Sequence, residues 1–279
     1  MLTRRKMYAD VPQGEYSPLE AAVGGRDAST LEIVEQAVRH KQTMLAYQPV
    51  MQAQPPHQTA FYEGLIRILD DTGRVIPARE FIHTVENTEI GREIDCIALE
   101  TGLRTLASNP SVRLSLNMSA RSIGYKRWMR VLDRHLGKDA TLGERLMLEI
   151  SEASAMTVPE LVIDFMDRLQ DRSVGFALDE FGGGMTAFRY LKDFFFDAVK
   201  IDGQFVRGVH ANPDNQTVVR ALVAVAQQFD MLIIANSVQC VEDAEFLVDA
   251  GVDCLQGYAF GAPTVRPPWI PEAKTGTAP

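Results

Sequence analysis

GFALDE, residues 175–180, is an apolar run that stops at two carboxylates, Asp179 and Glu180. Other runs along the chain end in the same way: LSLN at Asn117, LMLE at Glu149, DAVK at Lys200, LIIAN at Asn236 and DCLQ at Gln256. Each closing residue is of a kind that binds metals or moves protons. In a barrel of parallel strands the side chains at the C-terminal strand ends converge on one mouth, and catalytic residues come from several different strands. The recurrence predicts one site built from many strands.

Working outward from these runs, eight apolar segments can be counted: Met44 to Val50, Thr59 to Ile68, Val112 to Met118, Arg145 to Ile150, Ser173 to Asp179, Asp197 to Ile201, Met231 to Asn236 and Val252 to Gln256. They are continuously apolar instead of alternating, as strands covered on both faces tend to be. Between most of them lie stretches of helical period, such as Val218, Leu222 and Val225 in NQTVVRALVAVAQQF, suited to covering the outside of a sheet. Strand then helix, repeated, means a β/α barrel or an open doubly wound sheet, and eight strands favour the barrel. Ser29 and Glu32 stand at capping-box spacing before Leu31, Val34 and Val38, which predicts a helix start there. Residues 1–28 are expected to form a flexible N-terminal extension, residues 29–263 the barrel domain, and residues 264–279, rich in proline and small residues, a disordered tail.

Bulk properties narrow the function. The chain has 279 residues, 46% of them hydrophobic, enough for one large core. A net charge of −9 argues against long nucleic acid, which is held mainly by neutralising phosphates with Lys and Arg. A small anion held through metal ions stays compatible. No apolar stretch is long enough to cross a bilayer and the N-terminus lacks a secretory pattern, so a cytoplasmic location is expected. Cys96, Cys240 and Cys254 are odd in number without CxxC spacing and are expected to be buried bystander thiols.

At the mouth, Glu63, Asn117, Glu149 and Asp179 offer only oxygen ligands, the set that Mg²⁺ or Mn²⁺ takes. Glu180 follows Asp179 directly and can face a second cation if the chain turns there. Adjacent carboxylates repel without counter-charge, so metal ions would stabilise such a cluster. Lys200, on the next strand end, can orient a nucleophilic water or offset phosphate charge. The bland alternative for any one carboxylate is that it caps the following helix, and Lys200 can equally be a solvated strand-end charge; Asp197 and Asp202 are assigned to capping or salt bridges. His40, His57, His83, His135 and His210 fit no metal spacing and are read as ordinary histidines. Gly182, Gly183 and Gly184 are a weak phosphate-loop signal that a mobile loop explains as well.

These residues carry a family resemblance. YQPV (Tyr47 to Val50), YEGLIR (Tyr62 to Arg67), LSLNMSARSI (Leu114 to Ile123), LEISE (Leu148 to Glu152), ALDEFGGG (Ala177 to Gly184), DAVKIDGQFV (Asp197 to Val206) and LQGYAFGAP (Leu255 to Pro263) resemble, in order and spacing, the successive motifs of EAL domains, bacterial phosphodiesterases that linearise cyclic di-GMP. The resemblance implies a modified TIM-type (β/α)8 barrel with one antiparallel strand, the first. It implies that Glu63, Asn117, Glu149 and Asp179 surround one Mg²⁺ or Mn²⁺, with Glu180 replacing the family's second aspartate at another metal. Lys200 matches the water-positioning lysine, Arg67 the arginine that grips a phosphate, Gln256 a polar pocket residue, and Glu152 the glutamate that tethers the loop after the family's fifth strand. A homodimer or a signalling protein partner is implied in the same way.

The departure lies at the seventh strand. Where active members read AEGVET, this chain reads Ala235, Asn236, Ser237, Val238, Gln239, Cys240, so both glutamates are replaced by uncharged amides. Asn236 stands at the general-base and second-metal position, and an amide takes up no proton from water at neutral pH; losing a positioned base costs about 10² to 10⁴ in rate. Gly184, Met185 and Thr186 are a milder departure, bearing on dimer contacts or loop closure. The sequence therefore implies a degenerate EAL domain, impaired in hydrolysis and weak or lacking in bound metal, acting as a cyclic di-GMP effector or a protein-interaction module. The alternatives are an active or residually active cyclic-guanylate-specific phosphodiesterase that yields linear pGpG and, from another class, a Mg²⁺ barrel enzyme using Lys200 as a base.

Overall fold

Strand β7 (Ala198–Ile201) is buried at all four positions, so its apolar run reflects cover on both faces. The computed structural model describes residues 18–184 and 188–270. Around β7, in chain order, lie α1 (Pro18–Arg39), β1 (Thr43–Gln52), β2 (Thr59–Leu69), β3 (Val75–Pro77), α2 (Ile82–Val85), α3 (Glu89–Ser108), β4 (Leu114–Asn117), α4 (Lys126–Leu136), β5 (Leu146–Ser151), α5 (Glu152–Thr157), α6 (Pro159–Gln170), β6 (Gly175–Phe181) and α7 (Phe188–Leu191). After β7 come α8 (Gly203–Val206), α9 (Pro213–Gln228), β8 (Leu232–Ala235), α10 (Val241–Asp249) and β9 (Cys254–Leu255).

The sheet runs β1-β9-β8-β7-β6-β5-β4-β2-β3, and pairing of β1 with β2 closes it into a ring with β3 left outside as a hairpin extension of β2. Every apolar segment counted in the sequence is a barrel strand. β1 is antiparallel to both neighbours, β2 and β9, and the pairs from β2 through β9 around the rest of the ring are parallel. This is the modified TIM-type barrel.

Inside the ring, Val50, Phe61, Ala177, Ala198, Ile234 and Cys254 form an apolar cluster separate from the larger core. Side chains two apart on a strand share a face, so the next inward positions toward the mouth are Glu63, Asp179, Lys200, Asn236 and Gln256. On β1, which runs the other way, the equivalent position precedes its apolar partner, and it is Gln48. An apolar floor and a polar tier above it thus follow from the period-two geometry.

The larger core lies between barrel and helices. α4 buries Trp128, Val131, Leu132 and Leu136, and α6 buries Val162, Phe165, Met166 and Leu169, both at helical spacing. Trp128 meets Phe165, and Phe165 meets Phe176 of β6, edge to face at 5.6 and 5.8 Å, tying two helices to the sheet. α9 begins with Asn212 capping the Asn215 amide and Pro213 in its first turn, as N-termini prefer. It turns Val219, Leu222, Val223 and Ala226 inward, leaving Val218 and Val225 at the margin of that face.

Some expectations are corrected. α1 starts at Pro18, not at Ser29, so the Ser29/Glu32 pair lies inside a helix that continues through Gly24 and Gly25. The segment after Pro263 is not structureless as far as Ile270: Thr264 bridges Tyr47 of β1, and the Trp269 ring packs edge to face on Tyr47 at 5.2 Å and Tyr62 at 4.6 Å. Cys240 is half-buried, while Cys96 and Cys254 are buried. Residues 1–17 and 271–279, and Met185 and Thr186, lie outside the described residues.

Candidate active site

Glu63, Lys200, Gln256 and Gln48 of the polar tier, with Asn117 and Glu149, form one hydrogen-bonded network. Lys200, fully buried, donates from Nζ to Glu63 Oε2 at 3.0 Å and Glu149 Oε2 at 2.6 Å, and lies 4.0 Å from Asp179 Oδ1. Asn117 Nδ2 donates to Glu63 Oε1 at 2.8 Å. Gln256 Nε2 donates to Glu63 Oε2 at 2.6 Å and to Gln48 Oε1 at 3.3 Å. The structure therefore brings Glu63, Asn117, Glu149, Asp179, Lys200 and Gln256 together from different strands. Gln256 sits buried within the tier on Glu63, and Lys200 is an internal counter-ion, not a solvated strand-end charge.

Three carboxylates share this one ammonium, and the electrostatics reflect it. Burial pushes the Glu149 carboxyl up to about 8, and the charges of Glu63 and Asp179 add to that against the pull of Lys200. Asp179 is raised by burial, with Lys200 opposing and Glu63 adding. Burial would raise Glu63 as well, but the charge of Lys200 and the hydrogen bonds from Gln256, Asn117 and Lys200 outweigh it and hold it below the usual range. Burial alone would lower Lys200, yet the charges of Asp179, Glu149 and Glu63 hold it well above its ordinary value. These charges hold Lys200 in its ammonium form, and the carboxylate excess bears most heavily on Glu149.

Helix capping does not explain the carboxylates. The helix after β5 is capped by Ser151, not Glu149, and the turn after β4 by Ser119, not Asn117. Capping does explain Asp202, which caps α8; Asp197 accepts from the Phe176 amide at 2.8 Å. Glu180 is separated from Asp179 by a bulge: the β6–β7 register slips between Leu178 and Phe181, and Glu180 has φ +58°, which a non-glycine residue seldom adopts. The bulge swings Glu180 outward to an exposed position. Partial desolvation, then the charges of Asp179, Asp202, Glu86 and Glu152, raise its carboxyl. Glu152 is buried and its Oε2 accepts from the Gly182 amide at 3.0 Å, clamping the loop after β6 where Gly182 takes φ +84°.

At the end of β8, Asn236 Oδ1 accepts from the Ser237 amide at 2.6 Å, and Ser237 has φ +65°. The acceptor oxygen of the amide is thus engaged by its own loop, and Gln239 is exposed. Val238 N donates to Gln256 O at 2.9 Å, and a Cβ on Gly257 would collide with the Val238 backbone, so glycine lets the loops after β8 and β9 touch. Above them opens a cavity of about 430 Å³ whose lining includes Gln48, Arg67, Arg79, Arg207, Asn236, Gln239 and Tyr258. Arg79 Nη1 donates to Tyr258 Oη at 3.3 Å. Three arginines beside a carboxylate cluster, in a chain of net charge −9, suit an anionic ligand. Gln48, Arg79, Arg207 and Tyr258 went unremarked in the sequence. The reversed direction of β1 hides Gln48, and the others lie outside the strand ends that carry the repeating pattern.

The residues present fit a divalent cation. Glu149 Oε1 is buried with no hydrogen-bond partner, the surrounding donors are oxygens, and carboxylates exceed their counter-charge. Glu63, Asn117, Glu149 and Asp179 are the residues that can hold such an ion, and Glu180, near Asp179 and Asp202, can face another.

The comparisons agree with this architecture. The EAL domain family matches residues 31–263. The chain is 26% identical over 234 residues to the cyclic di-GMP phosphodiesterase PdeF of Escherichia coli K12, covering 82% of this chain and 31% of that protein. It is 25% identical over 267 residues to the bifunctional diguanylate cyclase/cyclic di-GMP phosphodiesterase MucR of Pseudomonas aeruginosa, covering 92% of this chain and 39% of that protein. The chain thus spans about a third of the length of these curated relatives. Among solved structures, the PaMucR phosphodiesterase in complex with c-di-GMP superposes with a TM-score of 0.77 at 25% identity, over 85% of this chain and 97% of that one. The FimX EAL domain from P. aeruginosa bound to c-di-GMP gives 0.76 at 25% identity, over 85% and 96%. With a family match across most of its length and the same barrel in three dimensions, the chain belongs to the EAL domain family.

Proposed function

We propose that this domain binds cyclic di-GMP at the barrel mouth and is impaired in hydrolysing it, serving cyclic di-GMP signalling in the cytoplasm as an effector or protein-interaction module, as a homodimer or with a signalling partner. Arg67, Arg79 and Arg207 would meet the phosphates and the exposed Tyr258 ring a base. Glu63, Asn117, Glu149 and Asp179 would hold Mg²⁺ or Mn²⁺, which supplies charge stabilisation to a phosphate when bound. The observation that carries the reading is the contrast between an intact oxygen tier and the end of β8. There Asn236 offers an amide whose oxygen is already engaged at 2.6 Å, and Gln239 is an amide too. Neither can take a proton from an attacking water. An active or residually active Mg/Mn-dependent phosphodiesterase giving linear pGpG is the alternative; the exposed Glu180, whose carboxyl is raised by partial burial and by neighbouring carboxylates that a second cation would offset, favours it.

Calorimetric titration with cyclic di-GMP, with and without Mg²⁺ and with product analysis by chromatography, tests the reading. Saturable binding without accumulating linear dinucleotide is expected. Absence of binding in both buffers would contradict the ligand assignment, and rapid conversion would contradict the impairment.

A further inference from the structure

Away from the barrel mouth, His210, Cys240 and Asp243 bring one nitrogen, one sulfur and one oxygen within 4.8 Å of one another. His210 Nδ1 lies 2.7 Å from Asp243 Oδ1 and 3.9 Å from Cys240 Sγ. Thiol and carboxylate therefore face the same ring nitrogen. In a nucleophilic triad they engage opposite nitrogens, so this cluster is not built for attack by the thiol. A thiolate, an imidazole and a carboxylate converging on one point are ligand types that zinc takes together, with Zn–S of about 2.3 Å and Zn–N of about 2.0 Å. A tetrahedral ion with those bonds separates nitrogen from sulfur by about 3.5 Å, near the distance seen.

Asp243 is held for such a role. It is buried; its Oδ2 accepts from the Gly208 amide at 3.0 Å and its Oδ1 from the His210 amide at 3.1 Å, backbone contacts that orient a ligating carboxylate. Capping of the Gly208–His210 turn explains those two bonds, but not why the Cys240 thiol and the His210 ring both converge on this carboxylate. The exposed Glu242 carboxylate is hydrogen-bonded with Cys240 and offers a further oxygen at the rim. We propose that His210, Cys240 and Asp243 form a zinc-binding site, with Glu242 or water completing the coordination. Binding releases the thiol proton to solvent, and His210 ligates through Nδ1 as the neutral imidazole with its proton on Nε2. The site joins the turn Val209–Ala211 to Cys240, the N-cap of α10, directly after Gln239. Occupancy would fix the loop that carries Asn236 and Gln239 on the cavity wall. This inference goes beyond the cyclic di-GMP reading and does not depend on it.

The test is titration of metal-stripped protein with Co²⁺ and then Zn²⁺, in excess Mg²⁺ to fill the barrel. One cobalt per chain is expected, with thiolate-to-cobalt charge-transfer absorption and tetrahedral d–d bands, displaced by zinc with a rise in melting temperature. Cys240→Ser, which places a residue well suited to a helix N-cap, should abolish the charge-transfer band and weaken zinc at least about tenfold. His210→Gln should weaken zinc similarly, with melting in EDTA close to the parent's for either variant. No thiolate absorption in the parent, or zinc affinity unchanged in the folded variants, would overturn the proposal.

Discussion

Replacing Lys200 with methionine keeps an unbranched stem in the barrel and deletes the one ammonium among Glu63, Glu149 and Asp179. At an effective dielectric of about 20, the contacts at 2.6 and 3.0 Å each represent about 5 to 6 kcal/mol of Coulomb attraction, against which the desolvation of a fully buried lysine must be set. Removing one partner of such a buried cluster leaves carboxylates without counter-charge and costs about 3–5 kcal/mol. For a domain of this size that is a fall in melting temperature of about 6–20 °C. The assay is thermal unfolding followed by circular dichroism in EDTA and again in millimolar Mg²⁺ or Mn²⁺. In EDTA the variant should melt well below the parent. A divalent cation should then recover more stability in Lys200→Met than in the parent, because it meets carboxylates no longer shared with an ammonium. Equal melting of the two proteins in EDTA would refute the charge coupling on which this reasoning rests.

Asp95 gives a pH dependence. Burial, against hydrogen bonds from Ser122 and Ser119, pushes its carboxyl up to about 7, above the unfolded value near 4. The folded state then binds the proton more tightly, so this group's stabilisation is complete below about pH 4 and is lost as pH rises toward 7. Asp95→Asn, which retains an accepting oxygen, should gain on the parent across that window by up to about 4 kcal/mol, read from denaturant midpoints; a constant difference would contradict it. Trp269→Ala removes both edge-to-face contacts with Tyr47 and Tyr62 and should cost about 1–3 kcal/mol. An unchanged denaturation midpoint would mean that the segment after Pro263 is not packed on the barrel.

The barrel was legible because each strand buried on both faces ends at a polar residue, and the two-residue period carries Glu63, Asp179, Lys200 and Gln256 into one tier. The same rule hides Gln48, since β1 runs against its neighbours and its polar residue comes before Val50 instead of after it. β3 escaped notice because it is three residues long and ends in Pro77. The start of α1 differs from the pattern because Ser29 and Glu32 match capping-box spacing within a longer helix, Pro18–Arg39. Trp269 gives no signal of its own, because a proline-rich composition points to absence of packing while a single ring still docks on Tyr47 and Tyr62. His210 and Cys240 are 30 residues apart, so no local spacing announces that they meet. Asn236 and Gln239 could be read only against the family pattern, because an amide at a strand end is unremarkable until its place in the tier is known.

The most direct measurement of the central claim is a time course of cyclic di-GMP linearisation in Mg²⁺ or Mn²⁺ by the parent and by the Asn236→Glu/Gln239→Glu double variant. The parent should bind the dinucleotide yet form little product, and the double variant should be faster by about 10² to 10⁴. Brisk multiple turnover by the parent, with no gain from the two glutamates, would contradict the account.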